Sequence, residues 1–211
     1  MDKSSDEVLI RQFKEDDYGA VSSIFANSFK GKLHYLTNLS EETIAEFLSD
    51  SGFVANRPFE GYWVAEMNDE VLGILLLKWN KQNRVKSHKK LNFIQLCLKY
   101  GFLKVIKLFI GILILNENNI RDDECYIEYI AVSSKCRGLG VGTKLITLGG
   151  RFVKDTLKLN KYSLHAASSN KKAIKLYEKL GFVIIEIENS MITRLLFNED
   201  TWLYMVKDLN N

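Results

Sequence analysis

Proline is almost missing from this chain of 211 residues: Pro58 stands alone and marks no linker. No internal repeat is present either, so the length reads as one domain, 1–211, and is ample for a single core. Cysteine is scarce too. Cys97, Cys125 and Cys136 are an odd number with no Cys-x-x-Cys pair, which argues against a disulfide framework and a thiolate zinc site and for buried, reduced thiols. No metal is expected. Charge of one sign is also in short supply, because a net charge of +3 is too small to argue for nucleic acid as a partner. Long uncharged runs are lacking. In the most apolar region they cover only 91–98 and 108–115, far short of the roughly 18–20 residues that a membrane span needs. The opening MDKSSDEVLI has neither the basic nor the apolar block of a signal peptide, so a cytoplasmic location is the expectation.

What is present alternates between strand and helix patterns, which makes the fold α/β. VLIRQF (8–13) alternates as a strand, and 15–29 follows with acidic residues in its first turn and apolar residues at helical spacing. Residues 40–52 form a second helix with a Ser-x-x-Thr start, and 61–80 read as a hairpin turning at Asn68-Asp69. A strand at 124–134 leads to a helix from Val141 to about Leu159, weakened by Gly149-Gly150. Next come a strand at 161–169, a helix at 170–182 closing at Gly181, and two strands, FVIIEIEN and TWLYMVKDL.

One stretch asks for a ligand. CRGLGVGTK (136–144) sets three glycines at alternate positions between the strand YIEYIAV and a helix. Strand, glycine-rich turn and helix present free backbone N–H groups and a positive helix end to an anion. A Walker A loop needs four residues between its first glycine and a Gly-Lys pair, and a dinucleotide fingerprint needs G-x-G-x-x-G; Gly138, Gly140 and Gly142 fit neither. What remains, Arg137-x-x-Gly140-x-Gly142, resembles the pyrophosphate loop R/Q-x-x-G-x-G/A of the GNAT superfamily of acyl-CoA-dependent N-acetyltransferases. NKKAIKLYEKLGF (170–182) resembles that family's second signature, with Asn170, Ala173, Tyr177, Gly181 and Phe182 in place. The likeness is close over 124–182 and looser over 6–80.

The resemblance implies a mixed, mostly antiparallel central sheet of six or seven strands flanked by helices. It also implies acetyl-CoA as co-substrate. The backbone of Ile130, Ala131 and Val132 would pair with the pantetheine arm, and one unpaired amide there would polarise the thioester carbonyl. Arg137 and the N–H groups of Gly138, Leu139, Gly140, Val141, Gly142 and Thr143 would hold the pyrophosphate. Asn170, Lys172, Ala173 and Tyr177 complete the cofactor-binding set. The implied reaction is direct attack of a primary amine, on a small molecule or peptide, in a ternary complex. Such an amine has a pKa of about 10, so it needs a base, and the leaving thiolate needs an acid. Tyr177 matches the family's acid. Glu128 is the first candidate base, because a lone carboxylate within YIEYIAV is hard to explain as packing. His165, on the next strand, is the second, since histidine has a suitable range without tuning. His34 and His88 fall in no motif. A non-catalytic acyl-CoA-binding or interaction module of the same fold is the alternative, but such a module needs no acid, which favours the enzyme.

One segment departs from the family. Between the third and fourth strands 43 residues (81–123) intervene, opening with the basic run KQNRVKSHKK. At roughly 100° per residue, Asn92, Gln95 and Lys99 share one stripe, while Lys104, Lys107 and Gly111 share another, rotated by roughly 120°. The pattern predicts two amphipathic helices, or one kinked helix, about Gly101. This insert could wall the acceptor pocket, form a homodimer contact, or lie on a membrane surface with its lysines at the headgroups. The first two rank higher, because an apolar helix more often packs on protein.

Overall fold

The computed structural model describes residues 7–55, 57, 60–80, 82, 91–115 and 120–210. Pro58, His88 and most of the basic run 81–90 lie outside the described residues. Among the described residues, seven strands form one sheet: β1 (Leu9–Gln12), β2 (Tyr62–Met67), β3 (Glu70–Lys78), β4 (Glu124–Val132), β5 (Lys161–Ala167), β6 (Val183–Asn189) and β7 (Thr201–Asp208), in the order β1-β2-β3-β4-β5-β7-β6. Every neighbouring pair is antiparallel except β4–β5. The β2–β3 hairpin turns at Asn68 and Asp69, both with positive φ (52° and 60°), as the tight turn that matches strand twist demands.

Helices cover both faces. On one face, α1 (Tyr18–Ser28), α2 (Lys30–Thr37), α3 (Glu41–Asp50), α4 (Phe93–Tyr100) and α5 (Phe102–Leu115) share a core with Val64, Ile74, Leu76, Tyr129 and Ala131. On the other face, α6 (Val141–Arg151) and α7 (Lys171–Lys179) pack on Leu75, Leu77, Cys125, Ile127 and Leu164. A short α8 (Met191–Phe197) bridges β6 and β7. The sequence pattern gives no separate signal for α2 or α8.

Two features place the site. First, Leu76 pairs with Tyr129 and Leu77 with Ile127, so Glu128 is the extra residue of a β-bulge. A bulge reverses the inside–outside alternation of a strand. Accordingly Cys125 and Ile127 face the α6 side while Tyr129 and Ala131 face the α1 side. Second, β4 and β5 pair only through Glu124–Tyr126 and Lys161–Ser163. Beyond those residues the two strands separate.

The helix from Val141 ends differently from its sequence pattern. It runs to Arg151 and continues as a wider turn over Phe152–Leu157. Gly149 is there for proximity: a Cβ on it would run into the Tyr162 hydroxyl and lie 2.8 Å from Leu75. Of the insert, the described residues hold two helices, α4 and α5, joined at Gly101. Val105 and Leu108 are fully buried, and the Phe47 ring meets Tyr100 at 5.4 Å and Phe109 at 5.6 Å.

Candidate active site

The divergence of β4 from β5 opens two adjoining cavities. The larger, about 830 Å³, lies between the end of β4, the loop 136–140 and the start of α6. Gly138 (φ 87°) and Gly140 (φ 77°) hold left-handed backbone, with open space where a Cβ would stand. An L side chain resists that conformation. Gly140 is the residue preceding α6, and its carbonyl already accepts from Lys144 N at 3.0 Å. The first amides of α6, on Val141, Gly142 and Thr143, have no helical partner and border the cavity. This is a backbone cradle for an anion, and Arg137 on its rim adds positive charge.

The expected cofactor residues come together here. Ile130, Ala131, Val132, Arg137, Gly138, Gly140, Val141, Gly142, Thr143, Asn170, Lys172, Ala173 and Tyr177 all line the larger cavity. Leu139 does not; its side chain is 60% exposed. Asn170 also has a local duty, because its side chain accepts from Ala173 N at 3.3 Å and caps α7.

The smaller cavity, about 370 Å³, lies on the other side of the opening, lined by β4, β5, α8 and Trp202 of β7. Glu128 and His165 both line it, and so does Ile114 of the insert. Phe29, Lys32, Ile130, Asn170, Ala173 and Tyr177 border both cavities. Tyr177 thus stands where the two meet. Burial pushes its phenol up to about 12, so the hydroxyl holds its proton at neutral pH.

The two candidate bases differ in their surroundings. The Arg57 guanidinium donates to Glu128 Oε1 at 2.6 Å and stacks over Phe53 at 4.7 Å. Arg57 supplies the structural reason for the charge in YIEYIAV that the sequence leaves open. His165 sits within a chain of polar groups: Nδ1 is 3.1 Å from the Tyr126 hydroxyl, and Nε2 is 3.1 Å from Glu188 Oε1. A carboxylate only accepts, so the Glu188 contact assigns the hydrogen to Nε2; Nδ1 of the neutral imidazole is then the acceptor for the Tyr126 hydroxyl, whose phenol burial raises far above its ordinary value. Lys32 adds a cation at the border of the cavities, its Nζ 4.0 Å from the Trp202 ring centre. Burial brings its ammonium down to about 8. Arg57, Tyr126, Glu188, Lys32 and Trp202 belong to no sequence motif and come from five separate segments.

The acetyltransferase (GNAT) family pattern matches residues 28–182. Among curated proteins, no sequence matches the chain. Solved structures share its fold. One acetyltransferase, 22% identical, superimposes with a TM-score of 0.64 over 95% of this chain and 99% of its own. An N-acetyltransferase from Staphylococcus aureus Mu50, 21% identical, gives 0.64 over 94% and 99%. The ribosomal-protein-S18-alanine N-acetyltransferase from Escherichia coli, 16% identical, gives 0.54 over 96% and 94%. With the glycine loop, the parting strands and a match across most of its length, the chain belongs to the GNAT family of acyl-CoA-dependent acetyltransferases.

Proposed function

We propose that the protein transfers an acetyl group from acetyl-CoA to a primary amine seated in the smaller cavity. The observation that carries this reading is the meeting of the two cavities at Tyr177, with a phenol that keeps its proton on the border. Backbone amides of the loop and of α6 would hold the pyrophosphate, and the free edge of β4 near Ile130 and Val132 would align the pantetheine arm. When bound, acetyl-CoA supplies the acyl group as an activated thioester.

The chain's residues then have two proton tasks. An alkyl ammonium, with a pKa of about 10, must lose a proton before its nitrogen can attack. Both nitrogens of His165 already have partners, so a proton reaches Nδ1 along the Tyr126 hydroxyl. The Tyr126 oxygen accepts from the ammonium as its own proton moves to His165, and Glu188 steadies the resulting imidazolium through Nε2. Tyr177 donates to the departing thiolate. Glu128, with Oε1 occupied by Arg57, fixes the wall of the cavity in this scheme and leaves the base role to His165.

The test is a panel of primary, secondary and aromatic amines with acetyl-CoA, following thiol release and acetylated product by mass. Turnover of a primary amine is the expected result. Acetyl-CoA binding without turnover of any amine would instead support the binding-module alternative.

A further inference from the structure

The α4–α5 insert presents an apolar face that the rest of the molecule leaves uncovered. On α5, Val105, Leu108 and Ile112 are buried, whereas Phe102, Leu103, Ile110 and Leu113 are 59, 73, 44 and 68% exposed. At about 100° per residue those four fall within roughly a third of the helix circumference, on an arc centred about 140° round the axis from the buried three. A helix apolar on both sides is normally enclosed; α5 is enclosed on one. On α4, Ile94 and Leu98, one turn apart, are 73 and 83% exposed, while Leu96 and Tyr100 are buried.

Charge identifies what could cover this face. Residues 81–115 hold eight of the chain's 29 lysines and arginines and none of its 26 acids, so the rest of the protein is net acidic. Lys99 turns to Glu46 and Asp50 of α3. Lys104 and Lys107 are exposed and make no ion pair among the described residues. A second copy of the same face would set these positive charges against each other. A nucleic acid would offer nothing to the exposed leucine and isoleucine side chains. An anionic lipid surface satisfies both properties at once.

We propose that the insert docks on an anionic bilayer surface, with α5 in the interfacial plane, its exposed apolar face among the upper acyl chains and Lys104 and Lys107 at the headgroups. The helix lies on the membrane and does not cross it. Its 14 residues reach about 21 Å, less than the roughly 30 Å hydrocarbon core, and no helix among the described residues is long and apolar enough to span. This inference stands apart from the acyl-transfer chemistry.

Co-sedimentation with phosphatidylcholine vesicles, with and without phosphatidylserine, tests it. Binding is expected on the serine-containing vesicles only, falling as salt is raised from about 0.1 to about 0.5 M. The double change Leu103→Glu and Ile110→Glu should lower partitioning at least about tenfold, with acetyl-CoA binding unchanged as the control for folding. Lys104→Gln with Lys107→Gln, which leaves the apolar face intact, should weaken the preference for the anionic lipid. No sedimentation with either vesicle, or equal sedimentation of the double glutamate variant, would overturn the proposal. So would light scattering that shows a dimer which the glutamate changes dissociate.

Discussion

The two cavities on either side of Tyr177 are made from different materials. The larger is mostly backbone: glycines in left-handed conformation, the open amides of α6 and the unpaired edge of β4. It suits a ligand whose charge and amide pattern never vary. The smaller is made of side chains from β4, β5, α8, β7 and the insert, held by ion pairs and hydrogen bonds between residues distant in sequence. Such a wall can be rebuilt by single substitutions while the neighbouring cradle stays fixed. That division suits an enzyme with one donor and an acceptor particular to itself.

The comparison is most sharply broken at the cradle. Gly140→Glu forces a side chain into left-handed backbone and puts negative charge at the anion site, so acetyl-CoA affinity should drop by at least about 10²-fold. Calorimetry should show this while the circular dichroism spectrum stays unchanged. At the junction, Tyr177→Phe should cost about 10²–10⁴-fold in kcat, the usual worth of a general acid, with acetyl-CoA Kd little changed; rapid-quench kinetics can establish that chemistry is the slow step.

Changes in the smaller cavity should act first on stability. Glu128→Gln leaves the Arg57 guanidinium without its carboxylate partner, in a pair whose side chains are only 19% and 6% exposed. A loss of about 3 kcal/mol in urea unfolding is expected, since an uncompensated buried charge is costly. Lys32→Met should do the opposite. Burial lowers the Lys32 ammonium from 10.5 to about 8 in the folded protein, so the unfolded chain binds more protons between those values. The penalty is therefore complete below about pH 8 and fades as pH rises towards 10.5. The variant should be about 2 kcal/mol more stable than the native protein at pH 7, with the gap closing above pH 10.

The contrast also explains what could be read in advance. The cradle was legible because a positive-φ turn and a helix start are local: Arg137, Gly140 and Gly142 carry their geometry within six positions. The alternation of strands and helices along the chain, the hairpin and the break at Gly101 follow from periodicity in the same way. Arg57 and Glu188 could not be read, because their partners Glu128 and His165 are 71 and 23 residues away and only the folded sheet brings them together. The Glu128 bulge was hidden too, since alternation within YIEYIAV looks continuous until β3 is laid beside it.

The central claim is that His165, reached through Tyr126, takes the amine proton. The most direct test is kcat/KM of His165→Gln across pH, with an acceptor found in the amine panel. The account predicts a loss of about 10²–10⁴-fold near pH 7 that shrinks as pH approaches the amine's own pKa of about 10, where the substrate arrives deprotonated. Tyr126→Phe should follow the same curve, and Glu128→Gln, assayed where it remains folded, should not. Full activity of His165→Gln near pH 7, or a pH-rescued loss confined to Glu128→Gln, would contradict the account and return the base to Glu128.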